Sequence, residues 1–157
     1  MCFLGLLAVA LVAGCGSTKP AGSGKKADRT LRAGPLRQAI IADAKEWIGT
    51  PYRAGGSDRE GTDCSGMVWS VFADHGRKLP RSAKEMFREG KAVYASTISP
   101  GDLVFFKNTA GPGITHVGIY LGLLEFIHSS TRKGVIISRL DDQYYRRHYA
   151  GARRVID

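Results

Sequence analysis

The sequence predicts an α+β domain. Apolar residues at helical spacing are confined to the stretch before about residue 90, and alternation with period two takes over after about residue 100. Helices first and strands afterwards indicate an antiparallel sheet covered on one face by the early helices. The chain has 157 residues, and a polar, Gly-rich stretch before residue 36 leaves about one domain's worth of chain for a single core. There is no internal repeat.

Leu36, Ile40, Ala44, Trp47 and Ile48 predict a helix over 36–48, ended by Gly49-Thr50-Pro51. Tyr52 to Gly61 reads as a charged, Gly-containing loop. A second helix follows from the spacing of Met67, Val68, Val71 and Phe72, running to about His75-Gly76. Ser82-Ala83-Lys84-Glu85 is a capping-box pattern opening a short helix to about Glu89. Five strands are expected at 103–106, 116–121, 126–129, 135–138 and 152–156, with a helical turn over 141–147 before the last.

Cys64 stands where the loop meets the second helix. Thr62 and Asp63 are both good N-cap residues, so Cys64 falls in the first helical turn, where the positive end of the helix dipole favours a thiolate. Lowering a cysteine pKa by about two units takes about 2.7 kcal/mol, and a helix N-terminus supplies roughly 0.3 to 1 kcal/mol, ~2 at best. A cationic partner is therefore needed, and histidine is the usual one. A lone cysteine is more often an inert core residue, but Asp63, Ser65 and the flanking Gly61 and Gly66 are poor core neighbours.

His116, Gly118 and Tyr120 alternate onto one face of a strand, and Phe126 and His128 share a face of the next. A hairpin closed around Gly122, with Tyr120 opposite Leu124, sets His116 directly across from His128, close enough for one ring to fix the tautomer of the other. A slip of one residue would put them on opposite faces. Gly118 leaves room beside His116, and the Cys64 helix is the natural occupant. His75 and His148 read as ordinary surface or core residues.

Residues 1–18 carry no charge, and Phe3 to Val12 is an apolar run of signal-peptide length. It ends in Val12-Ala13-Gly14-Cys15, which resembles a bacterial lipobox, although no Lys or Arg precedes the run. The resemblance implies a signal peptide over 1–14, cleavage before Cys15, and acyl lipid on Cys15 including palmitate. Residues 15–35 would then be the lipidated cysteine and a flexible linker rich in Gly, Ser, Lys and Ala. By analogy with bacterial sorting signals, Gly16 in place of Asp directs such a protein to the outer membrane, facing the periplasm, in a host that has one. Cys2 leaves with the signal and Cys15 is lipidated, so Cys64 remains unpaired in an oxidising compartment. The formal net charge is +9, with five basic and one acidic residue up to position 35 and eighteen and thirteen beyond it. That mildly basic balance suits an anionic envelope polymer. No basic stripe interleaved with aromatics suggests nucleic-acid binding.

Gly-Thr-Pro-Tyr (49–52), Asp-Cys-Ser-Gly (63–66), Leu-Pro-Arg (79–81), Pro-Gly-Asp-Leu (100–103), His-Val-Gly-Ile-Tyr (116–120) and Phe-Ile-His (126–128) together resemble the NlpC family of bacterial cell-wall cysteine peptidases, over essentially all of residues 36–157. The resemblance implies a papain-like domain with a five- to six-stranded antiparallel sheet. It also implies hydrolysis of peptidoglycan stem peptides at γ-D-glutamyl-diaminopimelate or D-alanyl-diaminopimelate bonds, without a cofactor. By position, Cys64 resembles the nucleophile, His116 the base and His128 its orienting partner. Tyr52 matches a residue bordering the oxyanion region, and Asp63 and Ser65 match positions lining the cleft. The hairpin departs from the family pattern, with Leu123-Leu124-Glu125 in place of a polar, Gly-rich turn. Three rival readings are a zinc site of Cys64, His116 and His128, a catalytically silent wall-binding scaffold lipoprotein of the same fold, and an acyl-transferring thiol enzyme.

Overall fold

Proline at the first helical position starts α1 (Pro35–Glu46), where its missing N–H costs nothing. The computed structural model describes residues 34–157, so the expected signal segment 1–14, Cys15 and the linker as far as residue 33 lie outside the described residues. Helix α1 buries Ile40, Ile41 and Ala44, and Trp47 follows them into the core. Ile48, expected on that face, is 50% exposed. The helix ends at Glu46, and the tighter turn after it, in which Trp47 N–H donates to Ala44 C=O, rotates Ile48 outward.

The expected loop contains a small hairpin, β1 (Ser57–Asp58) and β2 (Gly61–Thr62). Asp58 Oδ1 holds its turn by accepting from the amides of Glu60 and Gly61, at 3.0 and 3.1 Å. Helix α2 (Cys64–Asp74) buries Met67, Val68, Val71 and Phe72 completely, as their spacing predicts. It ends in a Schellman turn, with Arg77 N–H donating to Phe72 C=O and Gly76 N–H to Ala73 C=O. Helix α3 (Ala83–Met86) is shorter than expected, and Ser82 caps it by accepting from the Glu85 amide.

Six strands form the sheet: β3 (Lys91–Val93), β4 (Leu103–Lys107), β5 (Ile114–Gly122), β6 (Glu125–Ser130), β7 (Gly134–Arg139) and β8 (Tyr149–Arg154). Their spatial order is β3-β8-β4-β5-β6-β7, antiparallel throughout. Edge strand β3 is unforeseen. Strand β8 begins three residues before its expected start, and α4 (Gln143–His148) leads straight into it.

Leu103, Phe105, Val117, Ile119, Ile127 and Val135 point to the helices and form the main core with them. Val104, Phe106, Tyr120, Phe126 and Ala152 form a second, smaller cluster on the other face, joined by Tyr145 of α4. A buried ion cluster ties α1 to the sheet. The Asp102 carboxylate, fully buried, accepts from Arg37 at 3.0 Å and from Arg154 at 3.0 and 2.8 Å. Arg37 also donates to the carbonyls of Pro100 and Ile156.

The β5–β6 hairpin corrects the expected register. Tyr120 pairs with Phe126 and Ile119 with Ile127, and a bulge follows before Gly122 meets Glu125. The turn is Leu123-Leu124, both with positive φ, 52° and 67°. Two turn residues with φ above zero match the twist of the strands; glycine or asparagine is usual there, which is why the Leu-Leu pair hid this turn. The register is displaced by two residues from the expected one. A shift of two preserves the face, so His116 and His128 stay on the same side of the sheet.

Candidate active site

Asp63 caps α2 by accepting from the Gly66 amide at 2.6 Å. The same carboxylate accepts from the Ser65 hydroxyl at 3.0 Å, from Arg81 at 3.0 and 3.2 Å, and from the Gly55 amide at 2.9 Å. Burial works to raise this carboxyl, but the Arg81 hydrogen bonds, with those of Gly66 and Ser65, outweigh it and hold the group below the usual range. Arg81 donates as well to Ser65 Oγ and to the Gly56 carbonyl, stapling the loop before β1 onto the first turn of α2. Gly66 is needed because a Cβ there would run into that Gly56 carbonyl. Asp63 and Ser65 are both bonded to Arg81, and neither is among the residues lining the groove that holds Cys64 and the two histidines. The sequence offered Arg81 only as part of Leu79-Pro80-Arg81, with no sign of its partner eighteen residues away.

The two histidines meet on the second face of the sheet. His116 Nε2 lies 2.8 Å from His128 Nδ1. Continued along the strands, the observed register sets His128 opposite Gly118, with His116 diagonal to it. Gly118 makes room for this strand and not for α2: a Cβ there would lie 2.7 Å from both the Ile127 carbonyl and the Phe126 ring, and 3.2 Å from His128 Cβ. Phe126 stacks on the His128 ring at 4.9 Å. His128 Nε2 faces the Ser138 hydroxyl at 3.0 Å and the Tyr145 hydroxyl at 3.1 Å. Neither partner was singled out from sequence, although Ser138 stands across from Phe126 on the same sheet face.

These contacts fix a proton order. For His116 Nδ1 to be free to accept a proton, Nε2 must carry the ring hydrogen and donate to His128 Nδ1. His128 is then protonated on Nε2 and donates to Ser138 or Tyr145. Each group in the chain has a defined role, and none is a fixed negative charge.

Burial sets the resting charge state. It pushes the Cys64 thiol up to about 11, assisted by the negative charge of Asp63 and opposed by backbone hydrogen bonds from Val117, Ser65 and Cys64 itself. It pushes His116 down to about 4. His128 falls to about 3, through burial first and then repulsion from His116. Desolvation thus works against the helix dipole at Cys64, and burial favours the neutral thiol and the neutral imidazole.

Cys64, His116, His128 and Tyr52 line one groove of about 440 Å³. The backbone of Tyr52 is bridged to Thr62, which brings its ring beside the start of α2. Burial, then the charge of a Cys64 thiolate and that of Asp63, raise the Tyr52 phenol, so its hydroxyl remains a donor. Among the described residues no group of three or more His, Cys, Asp or Glu side chains is placed to hold a metal ion.

The family model described as NlpC/P60 matches residues 49–154. The murein DD-endopeptidase MepS/murein LD-carboxypeptidase of Escherichia coli (strain K12) is 42% identical over 130 residues, covering 82% of this chain and 68% of the relative. The probable endopeptidase NlpC of the same strain is 39% identical over 152 residues, 96% of each chain. Among solved structures, an NlpC/P60 family protein from Bacillus cereus superposes with a TM-score of 0.74 at 34% identity, covering 80% of this chain. The chain spans 42% of that longer protein.

Proposed function

The chain belongs to the NlpC/P60 family, and from that premise we propose that it is a peptidoglycan hydrolase whose Cys64 thiol cleaves an amide bond in cell-wall stem peptides or cross-links. The observation that carries this reading is the 2.8 Å contact between His116 Nε2 and His128 Nδ1 beside a groove that also holds Cys64 and Tyr52. Relatives named as murein and NlpC endopeptidases support peptidoglycan as the substrate.

The chemistry follows from the neutral resting pair. As the sulfur attacks the carbonyl carbon, the thiol proton passes to His116 Nδ1, so charge separation develops during the reaction and not before it. His128 holds the imidazole in the tautomer that can accept this proton and disperses the new charge toward Ser138 and Tyr145. The amides of Val117, Ser65 and Cys64, which bond the sulfur, and the Tyr52 hydroxyl in the groove are the candidate donors to the developing oxyanion. Collapse delivers the proton from His116 to the departing amine and leaves a thioester on Cys64. Water then attacks the thioester while giving its proton to His116; the acid leaves and the thiol is restored.

The bond cut is γ-D-glutamyl-diaminopimelate or D-alanyl-diaminopimelate. Lipid on Cys15 holds the enzyme in the cell envelope, at the periplasmic face of the outer membrane in a host that has one. The support for this anchoring is the Val12-Ala13-Gly14-Cys15 pattern.

Digestion of purified sacculi by the full chain, followed by mass spectrometry of the released muropeptides, tests the activity and fixes the bond. Fragments with a newly freed diaminopimelate amine are expected. Binding to sacculi with no released fragment would overturn the reading in favour of a silent wall-binding protein.

A further inference from the structure

The groove carries one sign of charge. Besides the residues already described, its walls hold the hydroxyl side chains of Thr109, Thr115, Ser130 and Thr131, and a single ionised group, Arg132. Among the described residues no carboxylate lines it. Arg132 sits in the turn between β6 and β7, where its backbone amide donates to Ser130 Oγ at 3.4 Å. Its guanidinium forms no ion pair among the described residues, unlike Arg81 and Arg154, which are committed to Asp63 and Asp102.

We infer that Arg132 is a specificity-determining residue of this groove, pairing with a free carboxylate on the substrate close to the scissile amide. The inference rests on the hydrolase reading above and names which substrates that site prefers. An arginine fork matches a carboxylate with two parallel hydrogen bonds, and the surrounding hydroxyls can complete the carboxylate's shell without competing charge. Arg132 follows His128 by four residues, the last two beyond the end of β6, so the two lie at most ~13 Å apart along the chain at ~3.3 Å per residue, and both line the same groove. The carboxylate it reads therefore belongs to a residue roughly one to three positions from the cut in an extended substrate. Two groups in a stem peptide meet that description: the α-carboxylate left free by a γ-linked glutamyl residue, and the second carboxylate of diaminopimelate.

The test uses three synthetic stem peptides, one with both carboxylates free, one amidated at glutamate and one amidated at diaminopimelate. Each is assayed with the full chain and with Arg132→Ala, Arg132→Lys and Arg132→Glu. A charge-assisted pair predicts that amidating the carboxylate read by Arg132 lowers kcat/KM by about tenfold or more, chiefly through KM. Which peptide suffers identifies the source. Arg132→Ala should bring the three peptides within about twofold of one another, Arg132→Lys should keep part of the preference, and Arg132→Glu should favour the amidated peptide. Equal rates on all three peptides with the parent chain, or an equal loss on all three with Arg132→Ala, would overturn the assignment. Binding of the same peptides to Cys64→Ser, measured by fluorescence anisotropy, separates this outcome from failure of the hydrolase reading. A carboxylate preference in binding that Arg132→Ala abolishes supports the assignment even without turnover, and binding without preference overturns it.

Discussion

His116 Nε2 and His128 Nδ1 lie 2.8 Å apart although the two residues are diagonal, not opposite, across the β5–β6 ladder. Diagonal neighbours on adjacent strands are still within reach of ring side chains. The contact therefore depends on ring orientation, which Phe126, Ser138 and Tyr145 supply. His116→Ala should lower kcat by about 10²- to 10⁴-fold, the usual worth of a positioned base. His128→Ala should cost about 10²-fold, as expected for a misplaced base, and His128→Asn should recover part of the loss by restoring an acceptor for His116. Stopped assays on a fluorogenic stem peptide measure all three, and equal activity of His128→Ala and the parent would contradict the orienting role.

The neutral resting pair predicts a wide pH profile. The reactive form, thiol plus neutral imidazole, persists between the acid limb set by His116 at about 4 and the alkaline limb set by Cys64 at about 11. The kcat/KM profile should be flat from about pH 5 to about pH 10. Alkylation of Cys64 by iodoacetamide, followed by peptide mapping, should accelerate about tenfold per pH unit across pH 7 to 10, because only the thiolate reacts. A plateau in alkylation by pH 8 would show that a thiolate already exists at neutrality.

The same burial makes stability acid-sensitive. Both imidazoles have folded-state pKa values below the ordinary 6.5, so the unfolded chain binds more protons in the window between. Their neutral burial costs nothing extra above pH 6.5, and stability falls as pH drops from there toward about 4 and 3. Urea denaturation should lose roughly a few kcal/mol between pH 7 and 4. His116→Gln with His128→Gln should flatten that loss. An unchanged slope would assign it to other groups.

Asp102 anchors α1 to the sheet through Arg37 and Arg154. Asp102→Ala leaves a buried arginine cation uncompensated and should destabilise by about 3–5 kcal/mol, measured by urea denaturation. A loss under about 1 kcal/mol would mean that water reaches the cluster. At the hairpin tip, Leu123→Asn with Leu124→Gly places residues suited to φ above zero and should stabilise by about 1–2 kcal/mol. A destabilised double variant would mean that the two leucines contribute more by packing than they lose in backbone strain.

What was legible in the sequence was whatever carries a period. Met67, Val68, Val71 and Phe72 gave the buried face of α2, and the alternation around Val117 and Ile127 gave the two central strands. Strands β1 and β3, two and three residues long, are too short to show a period. Ala150-Gly151 has weak intrinsic strand preference, and the segment is extended because β4 pairs with Tyr149 and Gly151 on either side of a bulge. In the site, local motifs located Cys64, Tyr52 and both histidines. Arg81, Ser138 and Tyr145 act through contacts that only the folded chain creates, and only the fold places Arg132 on the groove. The desolvation of Cys64, His116 and His128 also escaped the sequence, since it depends on what surrounds a group and not on its neighbours in the chain.

The most direct test of the central claim is the rate at which the full chain and its Cys64→Ala variant solubilise purified sacculi, read as loss of turbidity, with circular dichroism of both proteins recorded alongside. A variant with an unchanged spectrum that releases no material is the predicted result. Solubilisation by the variant at the parent's rate would contradict nucleophilic catalysis by Cys64.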